Sequence, residues 1–383
     1  MRGEKTMKAP INEIYEPKVT RKWEPYLRDV EGEEKKIVLA QILENQERYF
    51  LTETTKSTDV DDIARTIFPV VKKVWKDSIL DQLVSVQPVK STLSYIRYMK
   101  FTFAETAGDA TAGEELGRKN YKTYSAYAGG HKTPACWTGD NPAPEGGAAR
   151  GVNVELKREP VQCCMRALSA GWTFFSDIIA KMDEEEDLDP ALIDAVAKEI
   201  RNEIEYQVIA DLLANATGST GRTWSWDASK EVGENARLLY RAILMAAADI
   251  SKKIFASPNV LVMSPTNCAN LESGEQFSVV YGKNAELVGI GRRLFGVINN
   301  RFKVIEDPLF PDNKILIGFK GGSIFEAGYV YCPCVPLFVT DKYFDPDELT
   351  YKRVLANISA NKAIEMGSTP AWGYNYYGYL TIS

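Results

Sequence analysis

Apolar positions along this chain change period several times, and each change marks an element. Between Lys36 and Phe50, Ile37, Leu39, Ile42, Leu43 and Phe50 fall roughly on one helical stripe with charges opposite, which predicts an amphipathic helix. It sits in a charged leader, behind TRKWEPYLRD, with too little apolar content to fold alone. From Asp61 to about Leu83 the residues Ile63, Ile67, Val70, Val71, Val74 and Leu80 recur at helical spacing, and Pro69 kinks that helix or marks its start. The period then drops to two from Val84 to Phe103, with Leu93, Tyr95, Arg97, Met99, Phe101 and Phe103 on one face of a strand. A second long β stretch runs from Val152 to Phe175.

The segment 105–151 between those strands is dense in glycine and proline and cannot offset its ordering entropy with its own burial. Two long strands with such a tip predict an extended hairpin that needs a partner surface. Tyr121, Tyr124, Tyr127, His131 and Trp137 are its candidate contact residues, mostly rigid aromatic groups of the kind that favour interfaces.

After the hairpin comes an acidic run at 183–187, read as a solvated face near a helix N-terminus, then Asp189 as N-cap and Pro190 at the first helical position. Leu192, Ile193, Val196, Ile200, Ile204, Val208, Ile209 and Leu212 follow at intervals that predict a long one-sided helix closed by Gly218 and Gly221. Another helix is expected over Ala236–Phe255, then a short strand in VLVMSP, strands in LFGVIN, FKVIED and ILIGF, and strand character from Tyr329 to Ile382. Segregated helices and strands in this order predict an α+β fold.

The chain has 383 residues, so at least two subdomains are expected. A net charge of −6 argues against a nucleic-acid reader, which needs a basic face. No run of ~18 apolar residues predicts a membrane span, and the N-terminal residues lack the apolar core of a signal peptide. Six cysteines (Cys136, Cys163, Cys164, Cys268, Cys332, Cys334) are too sparse for a secreted disulfide scaffold and read as reduced thiols.

Catalytic and metal signals are weak. His131, the one histidine, lies in the glycine-rich tip, where a catalytic group would be poorly positioned. Cys332-Pro-Cys334 lacks a second pair at zinc-site spacing, and Cys163-Cys164 points to opposite faces of a strand; both read as packed thiols. GIGRRLFG at 289–296 has Leu294 where a GxGxxG phosphate loop requires glycine. Paired acids such as Asp61-Asp62 and Glu184-Glu185 have no visible partner to separate their pKa values. The residues therefore give no catalytic, metal or cofactor site, and no cofactor is expected. A metal- or thiol-dependent enzyme using Cys332, Cys334 or the acidic run is the alternative of a different class.

The most specific stretch is GFKGGSIFEAGYVYCPCVPL at 318–337, a glycine-punctuated turn feeding an apolar, aromatic strand. It resembles the closing strand of the major capsid proteins of T-even-type tailed phages, with Phe319, Glu326 and Cys334 where that family usually has Tyr, Asp and Tyr. KWEPYL, LAQILENQERYFLTE, IARTIFPVVKKVWKDSILDQLVSVQPVKS and VELKREPVQCCMRALSAGWTF are similar to other family segments in the same order. The resemblance implies an HK97-type fold. Its parts would be an N-terminal leader or arm at 1–58, a first peripheral part at 59–94, an E-loop hairpin at 95–171, the spine helix and peripheral domain at 172–229, an axial domain at 230–325, and peripheral return strands at 326–383. It further implies a non-enzymatic subunit that forms hexamers, with pentamers as a second assembly form, of an icosahedral virion shell assembled in the host cytoplasm. That shell would enclose double-stranded DNA passively, with vertex, portal, scaffold or decoration proteins as further partners. A vertex protein or an encapsulin-like shell protein of the same fold is the nearest alternative. Phe50-Leu51-Thr52-Glu53 matches the string after which the family's leader is removed.

Overall fold

Helices α1 (Pro17–Lys22) and α2 (Glu24–Leu27) fold Trp23 and Leu27 onto the long helix α3 (Glu33–Glu53). This computed structural model describes residues 17–30, 32–53, 68–75, 78–106, 110–114, 151–180, 182, 188–216, 222–254, 256–274, 277–279, 292–321, 328–365 and 372–383. The Trp23 indole donates to Glu44 at 3.0 Å and packs edge-on against Phe68 with ring centroids 4.9 Å apart. Helix α3 is not the one-sided helix expected of a leader: Ile37, Val38, Leu39, Ala40, Ile42 and Leu43 are buried, and so are Gln41, Asn45 and Gln46. The polar three can be buried because they are bonded, Gln41 to Asn45, Asn45 to the Val89 carbonyl and Gln46 to Leu337.

The helical stretch expected up to Leu83 is divided. Helix α4 covers 68–75, with Pro69 in the first turn of its described part, and α5 (Leu80–Leu83) is separate. Ser78 and Ile79 lie outside both helices because each donates to the buried carboxylate of Glu205, at 2.8 and 3.1 Å. Strand β1 (Ser85–Val86) and strand β2 (Leu93–Phe103) are likewise two elements, joined around Pro88. Strand β3 (Val152–Gln162) returns, and β4 (Cys164–Thr173) follows after a break at Cys163. Thr173 caps helix α6 (Phe174–Ile179), its hydroxyl accepting from the Ser176 amide.

Helix α7 (Leu188–Asn215) buries Ile193, Ala197, Ile200, Ile204, Val208 and Leu212, the three- and four-residue spacing of its sequence made into a core-facing stripe. It begins one residue before the expected cap, and Asp189 pairs with Arg353 at 2.9 Å. Then come β5 (Thr223–Trp224), α8 (Val232–Ile254), β6 (Val260–Met263), α9 (Pro265–Glu272), β7 (Phe277–Val279), β8 (Arg293–Ile298), β9 (Phe302–Glu306) and β10 (Lys314–Gly318). The chain closes with β11 (Tyr329–Val339), β12 (Tyr343–Asp345), β13 (Thr350–Ala363), a 3₁₀ turn (Trp372–Tyr376) and β14 (Tyr377–Ile382).

These strands build an α+β molecule with two main sheets. One runs β1-β11-β13-β12 with β4 on the other side of β13, and α3 and α7 pack on it. The other runs β5-β14-β10-β6-β9-β8-β7, with α8 across β14, β5 and β10. The chain crosses between sheets twice near its end: β11, β12 and β13 join the five-stranded sheet, whereas β14 goes back beside β10. One apolar cluster spans helices α3, α7 and α8 and both sheets. Gly318, the last residue of β10 and the first of the distinctive sequence stretch, faces Tyr377 across the β10–β14 ladder; a Cβ there would meet the ring at 2.9 Å.

Candidate assembly surface

Strands β2 and β3 form a sheet of their own, an antiparallel ribbon in continuous register from Leu93 opposite Gln162 to Phe103 opposite Val152. Its two faces differ. Near the root, Ile96, Tyr98 and Val161 point to the body and pack with Val89, Val330, Cys332, Val335, Ala360 and Ile364. The opposite face is solvent-exposed and apolar: Leu93 is 67% exposed, Tyr95 58%, Val154 62% and Leu156 51%. Strand alternation makes this division, because every second residue of β2 shares a face with every second residue of β3. A two-stranded ribbon is marginal in water by itself.

The root is held by side chains. Gln87 donates to the Arg97 carbonyl and accepts from the Arg97 amide, both at 3.1 Å. Lys362 donates to the Pro160 carbonyl at 3.2 Å, and Glu159 accepts from the Glu365 amide at 3.1 Å. Beyond the root, the chain turns at Gly113 (φ +80°); the Phe103 amide donates to the Glu114 carbonyl at 3.0 Å, the Phe103 carbonyl accepts from the Gly113 amide at 2.8 Å, and Phe103 packs on Ala110. Arg97 and Arg158 stand directly opposite each other on the exposed face, a like-charge pair that costs stability within one chain.

Of the face predicted from β2, Leu93, Tyr95, Arg97, Phe101 and Phe103 share one side in the register, although Phe103 is covered; the Met99 side chain lies outside the described residues. Tyr121, Tyr124, Tyr127, His131 and Trp137 lie outside the described residues. Phe50, Leu51, Thr52 and Glu53 form the last turn of α3, and their side chains also lie outside the description. Gln87 escaped the sequence reading, and the Gln-Pro pair at 87–88 was its only signal. A second exposed apolar group was missed as well: Phe175, Ile178, Ile179 and Met182 at α6, near Phe344, whose ring stands 6.0 Å from Phe174. That stretch continues a strand, so nothing in its period announced a helix.

Among the described residues no group of three or more His, Cys, Asp or Glu is placed to hold a metal, and no helix is long and apolar enough to cross a membrane.

The sequence profile of the family Major capsid protein Gp23 matches residues 138–357, more than half of the chain. No curated protein matches it. Among solved structures, the virus-like particle from Pyrococcus furiosus is similar over 82% of this chain and 96% of its own, at 11% identity and a TM-score of 0.43. The capsid of Myoviridae phage XM1 is similar over 80% and 92%, at 11% and 0.43, and the mature capsid of bacteriophage PhiM1 over 80% and 87%, at 10% and 0.44. Likeness at that level carries no argument by itself. The profile match does, since it takes in the ribbon's return strand β3, its mount β4 and all of β11: the chain belongs to the Major capsid protein Gp23 family and is a building subunit of a phage head shell.

Proposed function

We propose that the chain assembles into hexamers, and these into an icosahedral shell around double-stranded DNA, by laying the β2–β3 ribbon on a neighbouring copy. The observation that carries this is the ribbon's exposed apolar face, with Leu93, Tyr95, Val154 and Leu156 in water on the side turned away from the body. Covering that face with another subunit removes apolar area from water, and repeating a modest contact in every subunit makes a stable particle. The facing Arg97 and Arg158 favour a partner surface that brings carboxylates. On this reading the ribbon is the E-loop of an HK97-type subunit, α7 its spine helix and the seven-stranded sheet its axial part. The tip residues Tyr121, Tyr124, Tyr127, His131 and Trp137 extend the contact. A virion location follows, with vertex, portal, scaffold and decoration proteins as further partners.

Electron microscopy of the overexpressed chain tests the proposal. Closed particles are expected from the full chain, and soluble subunits that do not assemble from a chain lacking 110–148. Normal particles from that deletion would refute the role given to the ribbon and its tip.

Cleavage after Glu53 is carried as a second proposal on the string Phe50-Leu51-Thr52-Glu53. It would cut α3 away from a core in which Leu39, Ile42 and Leu43 are fully buried, so it requires a particle already held by contacts between copies. Chain recovered from mature particles at an intact mass near 42.8 kDa ends the idea.

A further inference from the structure

We propose that Cys163 and Cys334 are a disulfide-forming pair that staples the root of the ribbon to β11 when the particle meets an oxidant. In a regular sheet these residues could not reach each other. Strand β13 lies between them, with Ser359 paired to Cys164 on one side and to Pro333 on the other. Strands two apart stand about 9.5 Å from each other, whereas a disulfide needs Cα atoms within roughly 7 Å.

Two irregularities remove that separation. Cys163 occupies the break between β3 and β4, where its amide donates to the Thr92 carbonyl at 2.7 Å and it has left the β13 ladder. Cys334 is the extra residue of a bulge, between Pro333 opposite Ser359 and Val335 opposite Ile358. A bulge re-aims the side chain it carries. The Cys163 sulfur lies 4.0 Å from the Cys332 carbonyl oxygen, and Cys163, Cys332 and Cys334 are buried in one cluster. The residue facing Cys332 on β13 is Ala360, a small neighbour in the same cluster.

The three cysteines of this cluster are not equivalent. The hydrogen bond from Cys163 lowers the Cys334 thiol against the opposing effect of burial. The same bond, together with burial, raises Cys163, and burial alone pushes Cys332 up to about 12. Whichever of Cys163 and Cys334 is deprotonated attacks first. Hydrogen peroxide is a sufficient oxidant. That thiolate attacks one peroxide oxygen, the O–O bond breaks, and the departing hydroxide takes a proton to become water. The sulfur of the other cysteine then attacks the resulting sulfenic acid, the S–O bond breaks, and a second water leaves with that cysteine's proton. Thiols kept reduced in the cell would meet such oxidants after release.

The test is peroxide treatment of the full chain, with cysteines mapped by mass spectrometry of unreduced peptides. The expected result is one crosslink, between the peptides carrying Cys163 and Cys334, the loss of two hydrogens from the intact mass, and reversal by dithiothreitol. Cys163→Ser and Cys334→Ser should each abolish that crosslink. No crosslink, or one that uses Cys136, Cys164, Cys268 or Cys332, overturns the proposal.

Discussion

The side-chain amide of Gln46 bonds both main-chain groups of Leu337, donating to its carbonyl and accepting from its amide at 3.3 Å. Leu337 needs this because β11 slips register against β13 between Val335 and Phe338, leaving the residues between them off the ladder. The neighbouring Pro336 carbonyl is satisfied in the same manner by Asn357 at 2.8 Å. A helix from the start of the chain thus completes the hydrogen bonding of a strand near its end.

Replacing Gln46 by Leu keeps the volume and removes both bonds, leaving a buried amide and a buried carbonyl without partners. Each such group costs ~1–3 kcal/mol, so a loss of about 3 kcal/mol is expected. Urea denaturation of the unassembled subunit measures it. A change below about 0.5 kcal/mol would mean that β11 re-forms its register without the helix.

Gly328 and Gly373 meet face to face where the 3₁₀ turn crosses the start of β11. A Cβ on either would collide with the carbonyl oxygen of the other, and neither backbone is free to retreat: Gly373 donates to Ile364 at 2.8 Å and Ile364 to Gly328 at 3.0 Å. Gly373→Ala should therefore destabilise by about 3 kcal/mol or more. Gly233→Ala, in the first turn of α8 where an added Cβ meets nothing, should be neutral or stabilise by about 0.5–1 kcal/mol. Thermal melting of the two variants side by side checks both signs, and equal effects would contradict the close approach.

These glycines show what the sequence could and could not convey. Gly318 and Gly328 stood out as punctuation of a distinctive stretch, but their partners, Tyr377 and Gly373, are about 50 residues away and carry no signal of the pairing. Period two located the ribbon and its apolar face, since alternation reports directly which residues share a side. The helical spacing over 190–213 located α7 for the same kind of reason. The spacing in α3 misled, because Gln41, Asn45 and Gln46 look solvent-facing until the main-chain groups they bond are known. The breaks at Cys163 and at 334 were invisible, as a bulge is a property of two strands and not of one.

Glu205 sits in the α7 stripe, one residue past Ile204, and is buried. Ser78 and the Ile79 amide donate to it, while Arg201 and Arg292 each stand 4.0 Å away; Arg292 also pairs with the buried Asp307 at 3.0 Å and donates to the Asn202 carbonyl. Burial raises its carboxyl above the ordinary value in spite of the two arginines. A carboxyl that is raised in the folded state holds its proton more tightly there than when unfolded. Its contribution is complete below the unfolded pKa of ~4.3 and is lost as pH rises through the folded value. Glu205→Gln keeps the acceptor oxygen and cannot titrate. The stability of the natural chain minus that of the variant should therefore fall as pH rises from about 4 to 7. A difference that grows with pH would mean the arginines outweigh burial.

The ribbon face gives the sharpest separation between folding and assembly. Val154 is 62% exposed and Leu156 51%, so a charge at either position costs the free subunit little. Val154→Glu with Leu156→Glu should change the subunit's unfolding free energy by no more than about 1 kcal/mol, the range of two surface substitutions. In an interface repeated in every subunit the same two carboxylates must be desolvated or left unpaired, at ~2–5 kcal/mol for each buried charge that lacks a partner. Particles should disappear from electron micrographs while the melting curve of the subunit stays in place. If the face is instead covered within its own subunit, the double variant lowers the melting temperature before it affects particles. The order of the two effects decides where the ribbon rests.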